Sequence, residues 1–130
     1  MDVCEISPEK YELMGTFAEC GPLLSAIGDE NRQTIICVLI LNPGQRVEEI
    51  RAHTNLSRPA VSHHLKILKD SGVVTIVRKG TKNYYFPNCD MTAWIRLKIL
   101  ASKIYDLAES VSRDAELGTK RMAMIDEFDV

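Results

Sequence analysis

Leu56-Ser57-Arg58-Pro59-Ala60-Val61-Ser62-His63-His64-Leu65-Lys66-Ile67-Leu68-Lys69-Asp70-Ser71-Gly72 reads as one short helix with both ends marked. Ser57 offers a side-chain oxygen to the free N–H groups of a first turn, and Pro59 is tolerated within that turn. Gly72 stops the helix. Val61, Leu65 and Leu68 fall at i, i+4 and i+7 and make a single apolar stripe. Arg58, Ser62, Lys66 and Lys69 repeat at roughly helical spacing opposite that stripe, with His63 beside Ser62. Any amphipathic helix has a polar face, so this one takes its meaning from what stands on either side.

Upstream, Val47 to His53 or Thr54 reads as another short helix, with Val47, Ile50 and Ala52 inward and Asn55-Leu56 as the turn that follows. Downstream the period changes from helical to extended. Val73 to Arg78 is β-branched and reads as a strand, Lys79 to Asn83 as a turn, and Tyr84-Tyr85-Phe86 as a returning strand closed by Pro87. Two short helices, a tight turn and a basic hairpin compose a winged helix-turn-helix over residues 46–72 and 73–86. A helix of this width fits the major groove of duplex DNA. Arg58, Ser62 and His63 are the candidates for base edges, with Pro59 as an apolar contact and Ser57 at the cap. Lys66 and Lys69 suit phosphates, and Arg78, Lys79 and Lys82 can reach the backbone or the minor groove. Gly80 permits a tight tip.

Charge supports this placement. The formal net charge is −2, but Ser57 to Asn83 holds six cations against the single acid Asp70, so that segment carries +5 and the remainder −7. A basic segment on an acidic body is the footprint of a site that meets phosphates.

The remainder is helical. Glu9 to Cys20 reads as a first helix, Gly21-Pro22 as an interruption, and Leu23 to Ile27 as a short second helix ended by Gly28. Asp29 is a good N-cap for a helix from Glu30 to Leu41, whose apolar residues lie almost all round and predict a central buried helix with Cys37 as a small apolar filler. Asn42-Pro43-Gly44 stops it. A last helix over Met91 to Arg113 carries Trp94, Leu97, Ala101, Ile104, Ala108 and Val111 at steps of three and four, widened by Leu100 and Leu107. The fold class expected is therefore mainly α with a small β-hairpin. A chain of 130 residues with 45% hydrophobic residues suggests one domain, 1–130, with a core of its own. No apolar run is long enough to span a bilayer and no apolar leader is visible, so a cytoplasmic protein is expected. Cys4, Cys20, Cys37 and Cys89 form no C-x-x-C pair and read as reduced thiols.

Leu24 to Phe86 resembles the ArsR-type winged-helix regulators. The matching pieces are Ile27-Gly28-Asp29-Glu30-Asn31-Arg32, similar to the family's L-x-D-x-x-R segment; Leu56 to Lys66, similar to its recognition-helix signature; Leu68-Lys69-Asp70-Ser71-Gly72-Val73-Val74; and Arg78-Lys79-Gly80 before Tyr84-Tyr85. The resemblance implies a homodimer that binds double-stranded DNA and represses transcription until an inducer releases it. It also implies that the first and last helices, residues 9–22 and 91–113, pair two copies. The side chains expected at that pairing are Tyr11, Met14, Phe17, Trp94, Leu97, Leu100, Ala101, Ile104, Leu107, Ala108 and Val111. The alternative for the last helix is ordinary packing on its own core. His64 is expected at the core edge with a hydrogen bond.

Many of these regulators sense metals, but the residues here depart from both common patterns. Arg46-Val47-Glu48-Glu49 stands where one pattern has a C-x-C pair, and Met91 to Ser112 has no histidine for the other. No metal or other cofactor is expected. Cys20 and Cys89, with or without Cys4, could converge where terminal helices meet, which leaves a thiol-based redox or soft-metal switch open beside the reading as unrelated thiols. A winged-helix scaffold that binds protein rather than DNA is the rival reading, and Arg58, Lys66 and Lys69 argue against it. An enzyme is not expected, because no Gly-rich phosphate loop, nucleophile elbow or paired catalytic carboxylates are present. RNA is disfavoured because aromatic residues do not interleave with the basic face.

Overall fold

The computed structural model describes residues 7–114, 119 and 122–125. Its elements are α1 (Pro8–Ile27), α2 (Glu30–Leu41), α3 (Val47–Ala52), α4 (Arg58–Asp70), β1 (Val74–Lys79), β2 (Lys82–Pro87) and α5 (Thr92–Arg113). The helix starts are where the capping residues place them. Ser7 accepts from the Lys10 N–H, Asp29 Oδ1 from the Arg32 N–H at 3.0 Å, and Ser57 Oγ from the Ala60 N–H at 3.3 Å.

The core is built where α4 lies down on α2 and α3. Val61, Leu65 and Leu68 are buried on α4 against Ile35 and Leu39 of α2, Ile50 of α3, and Val73 and Val74 at the base of the hairpin. Ala26 at the end of α1 and Ala93 at the start of α5 join the same cluster. α1 packs along α5 on the far side. There Lys103 Nζ donates to Thr16 Oγ1 at 3.0 Å and pairs with Glu12 Oε1 at 2.8 Å.

Several expectations need correction. Gly21-Pro22 does not interrupt α1, which runs unbroken from Pro8 to Ile27 with Pro22 inside it. Proline removes one backbone donor, so the helix forgoes the bond to the Ala18 carbonyl. Cys20, Leu23 and Ala26 are buried on both sides of the proline, and that burial carries the helix through. α2 is not buried all round. Only Ile35 and Leu39 are buried, while Ile40 is 58% and Leu41 78% exposed. Cys37 is exposed rather than a core filler, and it lies on an open face of α2 with Gln33, Thr34, Leu41 and, from the end of α3, His53. Ala52 is also exposed, leaving Ile50 as the buried anchor of α3.

The hairpin turn is shorter than the five residues expected. β1 and β2 pair from Val74↔Pro87 to Lys79↔Lys82, leaving Gly80-Thr81 as a two-residue connection. Gly80 has φ of 63° and no non-glycine residue described has positive φ, which matches the turn type with glycine first that suits the strand twist. The other edge of β2 is also held. The Gly44 N–H donates to the Tyr85 carbonyl at 2.9 Å, and the Tyr85 N–H donates to the Gln45 carbonyl at 2.8 Å. Gly44 has φ of 82°, a left-handed conformation that strains any side chain, and a Cβ there would also crowd the Phe86 ring at 3.1 Å. The wing is thereby clamped from both sides at its base, with Tyr85 buried and its phenol pKa pushed up by that burial.

Candidate nucleic-acid interface

α4 turns two different faces to its surroundings. Val61 and Leu68 are 0% exposed, which fixes the helix on the core. Ser57, Arg58, Pro59, Ser62, His63, Lys66 and Lys69 are all exposed on the remaining surface. The turn that sets α3 against α4 is closed locally: Arg51 Nε donates to the Leu56 carbonyl at 3.3 Å, and the Leu56 N–H donates to Thr54 Oγ1 at 3.3 Å.

The wing adds a second set of cations. Arg78, Lys79 and Lys82 are exposed at the end of the hairpin. Arg78 Nε donates to the Gly80 carbonyl at 3.1 Å, folding that guanidinium onto the tip. A cleft runs between the start of α4 and the wing, lined by Arg46, Glu48, Arg58, Lys82 and Asn83 among others. The structure thus brings Arg58 of α4 and Lys82 of the wing to one cleft.

Three relationships are not legible in the sequence. Glu48 of α3 stands 3.5 Å from Arg58 Nε and 3.5 Å from Arg51 Nη1. Arg46 lines the same cleft although it precedes the basic segment. The i, i+3 spacing of Glu48 and Arg51 is a readable signal, but nothing in the order of residues announces the contact to Arg58. Arg32 of α2 reaches His64 of α4, with Nη1 3.1 Å from Nδ1. His64 is half-buried, as expected of it, and Arg32 is the partner. Asp29 lies beside this pair, and the N–H of Arg32 holds its carboxylate below the usual range, with the charge of Arg32 adding to the effect.

The two helices expected to pair are divided. Tyr11, Met14 and Phe17 on α1 and Ile104 and Val111 on α5 are exposed, as are Ala101 and Ala108. Leu100 is buried within the chain, while Trp94 and Leu97 are partly buried against the core and Leu107 is half-buried. Cys20 is 1% exposed, and its thiol donates to the Arg96 carbonyl at 3.6 Å. Cys89 is exposed, both are free thiols, and Cys4 lies outside the described residues. Among the described residues no group of three or more His, Cys, Asp or Glu side chains could hold a metal ion. No described helix is long and apolar enough to cross a membrane.

Comparison with known proteins agrees with this architecture. Residues 29–75 match the model of the bacterial regulatory protein arsR family. An uncharacterized HTH-type transcriptional regulator of Methanocaldococcus jannaschii is 35% identical over 78 residues, covering 60% of this chain and 81% of that protein. The transcriptional repressor SdpR of Bacillus subtilis is 38% identical over 66 residues, covering 51% of this chain and 72% of that protein. The crystal structure of NolR from Sinorhizobium fredii superposes with a TM-score of 0.55 at 28% identity, covering 78% of this chain and 92% of that one. The two sequence relatives are transcriptional regulators, in keeping with the expectation that the chain is not an enzyme. The match spans the cap of α2, the helix-turn-helix and the start of the wing, and the chain belongs to the ArsR family of bacterial regulatory proteins.

Proposed function

We propose that this regulator is a single-domain repressor that binds duplex DNA as a homodimer, reading bases with α4 and gripping the backbone with the wing. The observation that carries the reading is the division of α4. Val61, Leu65 and Leu68 are buried while Arg58, Ser62, His63, Lys66 and Lys69 stand exposed beside them. Arg58 can bind guanine O6 and N7 as a pair, and Ser62 and His63 reach neighbouring base edges, with Pro59 in apolar contact. Ser57, Lys66 and Lys69, with Arg78, Lys79 and Lys82, serve the phosphates. SdpR, a named repressor, supports the direction of regulation.

Dimerisation rests on the exposed apolar side chains of α1 and α5. Tyr11 is 50%, Met14 60% and Phe17 42% exposed, and Ile104 and Val111 continue the surface. A second copy would cover them and place two recognition helices about one helical turn apart, roughly 34 Å. The burial of Cys20 argues against that thiol as an oxidant-accessible sensor. The protein-scaffold reading has no acidic or apolar recognition face to support it.

Selection of bound duplexes from a random pool tests the proposal. The expected result is an inverted repeat whose half-sites lie about 10 base pairs apart. A pool that never enriches any sequence overturns it.

A further inference from the structure

Glu48 is the acid in a cleft otherwise shaped by Arg46, Arg58, Lys82 and Asn83. Its carboxylate lies between two guanidinium groups, with Oε1 3.5 Å from Arg58 Nε and Oε2 3.5 Å from Arg51 Nη1. The side chains of Glu48 and Arg58 are 49% and 66% exposed, so water screens the pair and it adds little to folding. An acid that does little for stability and stands beside the recognition helix has a cost at a DNA surface, since it repels phosphates.

We propose that Glu48 is a specificity-determining positioning residue, which holds Arg58 by its Nε side and aims the two terminal nitrogens outward. The proposal rests on the reading of Arg58 as a base-contacting residue. A guanidinium carries donors on Nε and on both terminal nitrogens, and it can meet an acceptor pair side-on or end-on. With Nε facing Glu48, the terminal pair is left for guanine O6 and N7. Docking of a duplex would exclude water from the cleft and strengthen the hold, because the pair then acts in a lower dielectric. In a wrong register Arg58 finds no guanine to repay the repulsion between the Glu48 carboxylate and nearby phosphates. Glu48 thus adds a penalty against incorrect sites as well as a preferred arginine orientation.

The test uses the full chain, a duplex taken from sequence selection and a scrambled duplex of equal length, at one salt concentration. Wild type, Glu48→Gln, Arg58→Ala and the double variant are compared on both. Glu48→Gln is expected to bind the scrambled duplex more tightly and to lower the specific-to-scrambled ratio about tenfold, relaxing the base pair that Arg58→Ala also relaxes. With Arg58 already replaced, Glu48→Gln should leave the ratio where it is. A ratio that Arg58→Ala moves and Glu48→Gln does not overturns the proposal alone. So does a Glu48→Gln effect of equal size with and without Arg58. A ratio that Arg58→Ala leaves unmoved overturns the base-reading role and this proposal with it.

Discussion

Arg32 of α2 stands with Nη1 3.1 Å from Nδ1 of His64 on α4. Arginine has only donors, so His64 Nδ1 is the acceptor and a neutral ring carries its proton on Nε2. The same guanidinium donates from Nε to the Ala26 carbonyl at 2.7 Å and from Nη2 to the Ser25 carbonyl at 3.1 Å. Those carbonyls belong to the last turn of α1, which has no intrahelical donors left for them. One side chain therefore ties the end of α1 to the recognition helix.

Removing this tie should loosen both elements. Arg32→Ala is expected to cost about 2 kcal/mol of stability, since charge-assisted hydrogen bonds to the Ala26 and Ser25 carbonyls and to His64 are lost together. Arg32→Lys should recover only part, because an ammonium cannot reproduce the planar fork. Urea unfolding of the three proteins checks this, and equal midpoints for wild type and Arg32→Ala would contradict the account.

Acid should weaken the fold through Asp29. Its folded pKa lies below the ordinary 3.8, chiefly because the N–H of Arg32 bonds to the carboxylate. The unfolded chain therefore binds the proton more readily. The stabilising contribution is complete above pH 3.8 and is lost as pH falls through the lowered value. Glu12, held down by its hydrogen bond from Lys103, and Asp90, held down by that from Thr92, act with the same sign. Asp29→Asn keeps a capping oxygen without the charge, so its stability should fall less steeply as pH drops below about 4. Parallel acid limbs for the two proteins would count against it.

Pro22 should be a net burden on α1. Pro22→Ala restores a backbone donor inside the helix, a gain of roughly 3 kcal/mol by helix propensity, offset by up to about 1 kcal/mol of greater freedom in the unfolded chain. A rise in stability of about 2 kcal/mol is expected by thermal or urea unfolding. No change would mean that the carbonyl of Ala18 is satisfied in some other way.

The two roles on α5 should separate by mutation. Leu100 is 2% exposed, so Leu100→Ala should cost about 2 to 5 kcal/mol of folding stability. Ile104 is 39% exposed, so Ile104→Glu should leave the monomer folded and abolish pairing. Sedimentation equilibrium distinguishes these outcomes. A dimer of undiminished strength in Ile104→Glu contradicts the proposed pairing surface.

What could be read from the sequence was local. Ser57 and Asp29 cap helices through residues three positions ahead, and Val61, Leu65 and Leu68 mark the buried face by spacing alone. The hairpin was legible as two strands. Its two-residue turn was not, because Lys79↔Lys82 is a pairing between strands rather than a property of either. The continuity of α1 through Pro22 and the exposure of Cys37, Ile40 and Leu41 depend on which neighbours lie against each face. In the candidate site the exposed cations were legible. The partners that orient them were not, since Arg32 and His64 are 32 positions apart and Glu48 meets Arg58 across two helices.

Guanine methylation interference on a selected duplex probes the reading of bases by α4 most directly. A methyl group on N7 projects into the major groove and blocks the acceptor that Arg58 would use. Wild type should be excluded by such methylation at one guanine in each half-site, the two lying about one helical turn apart, and Arg58→Ala should become indifferent to it. Interference that persists unchanged in Arg58→Ala, or wild-type binding that ignores N7 methylation throughout, would contradict the account.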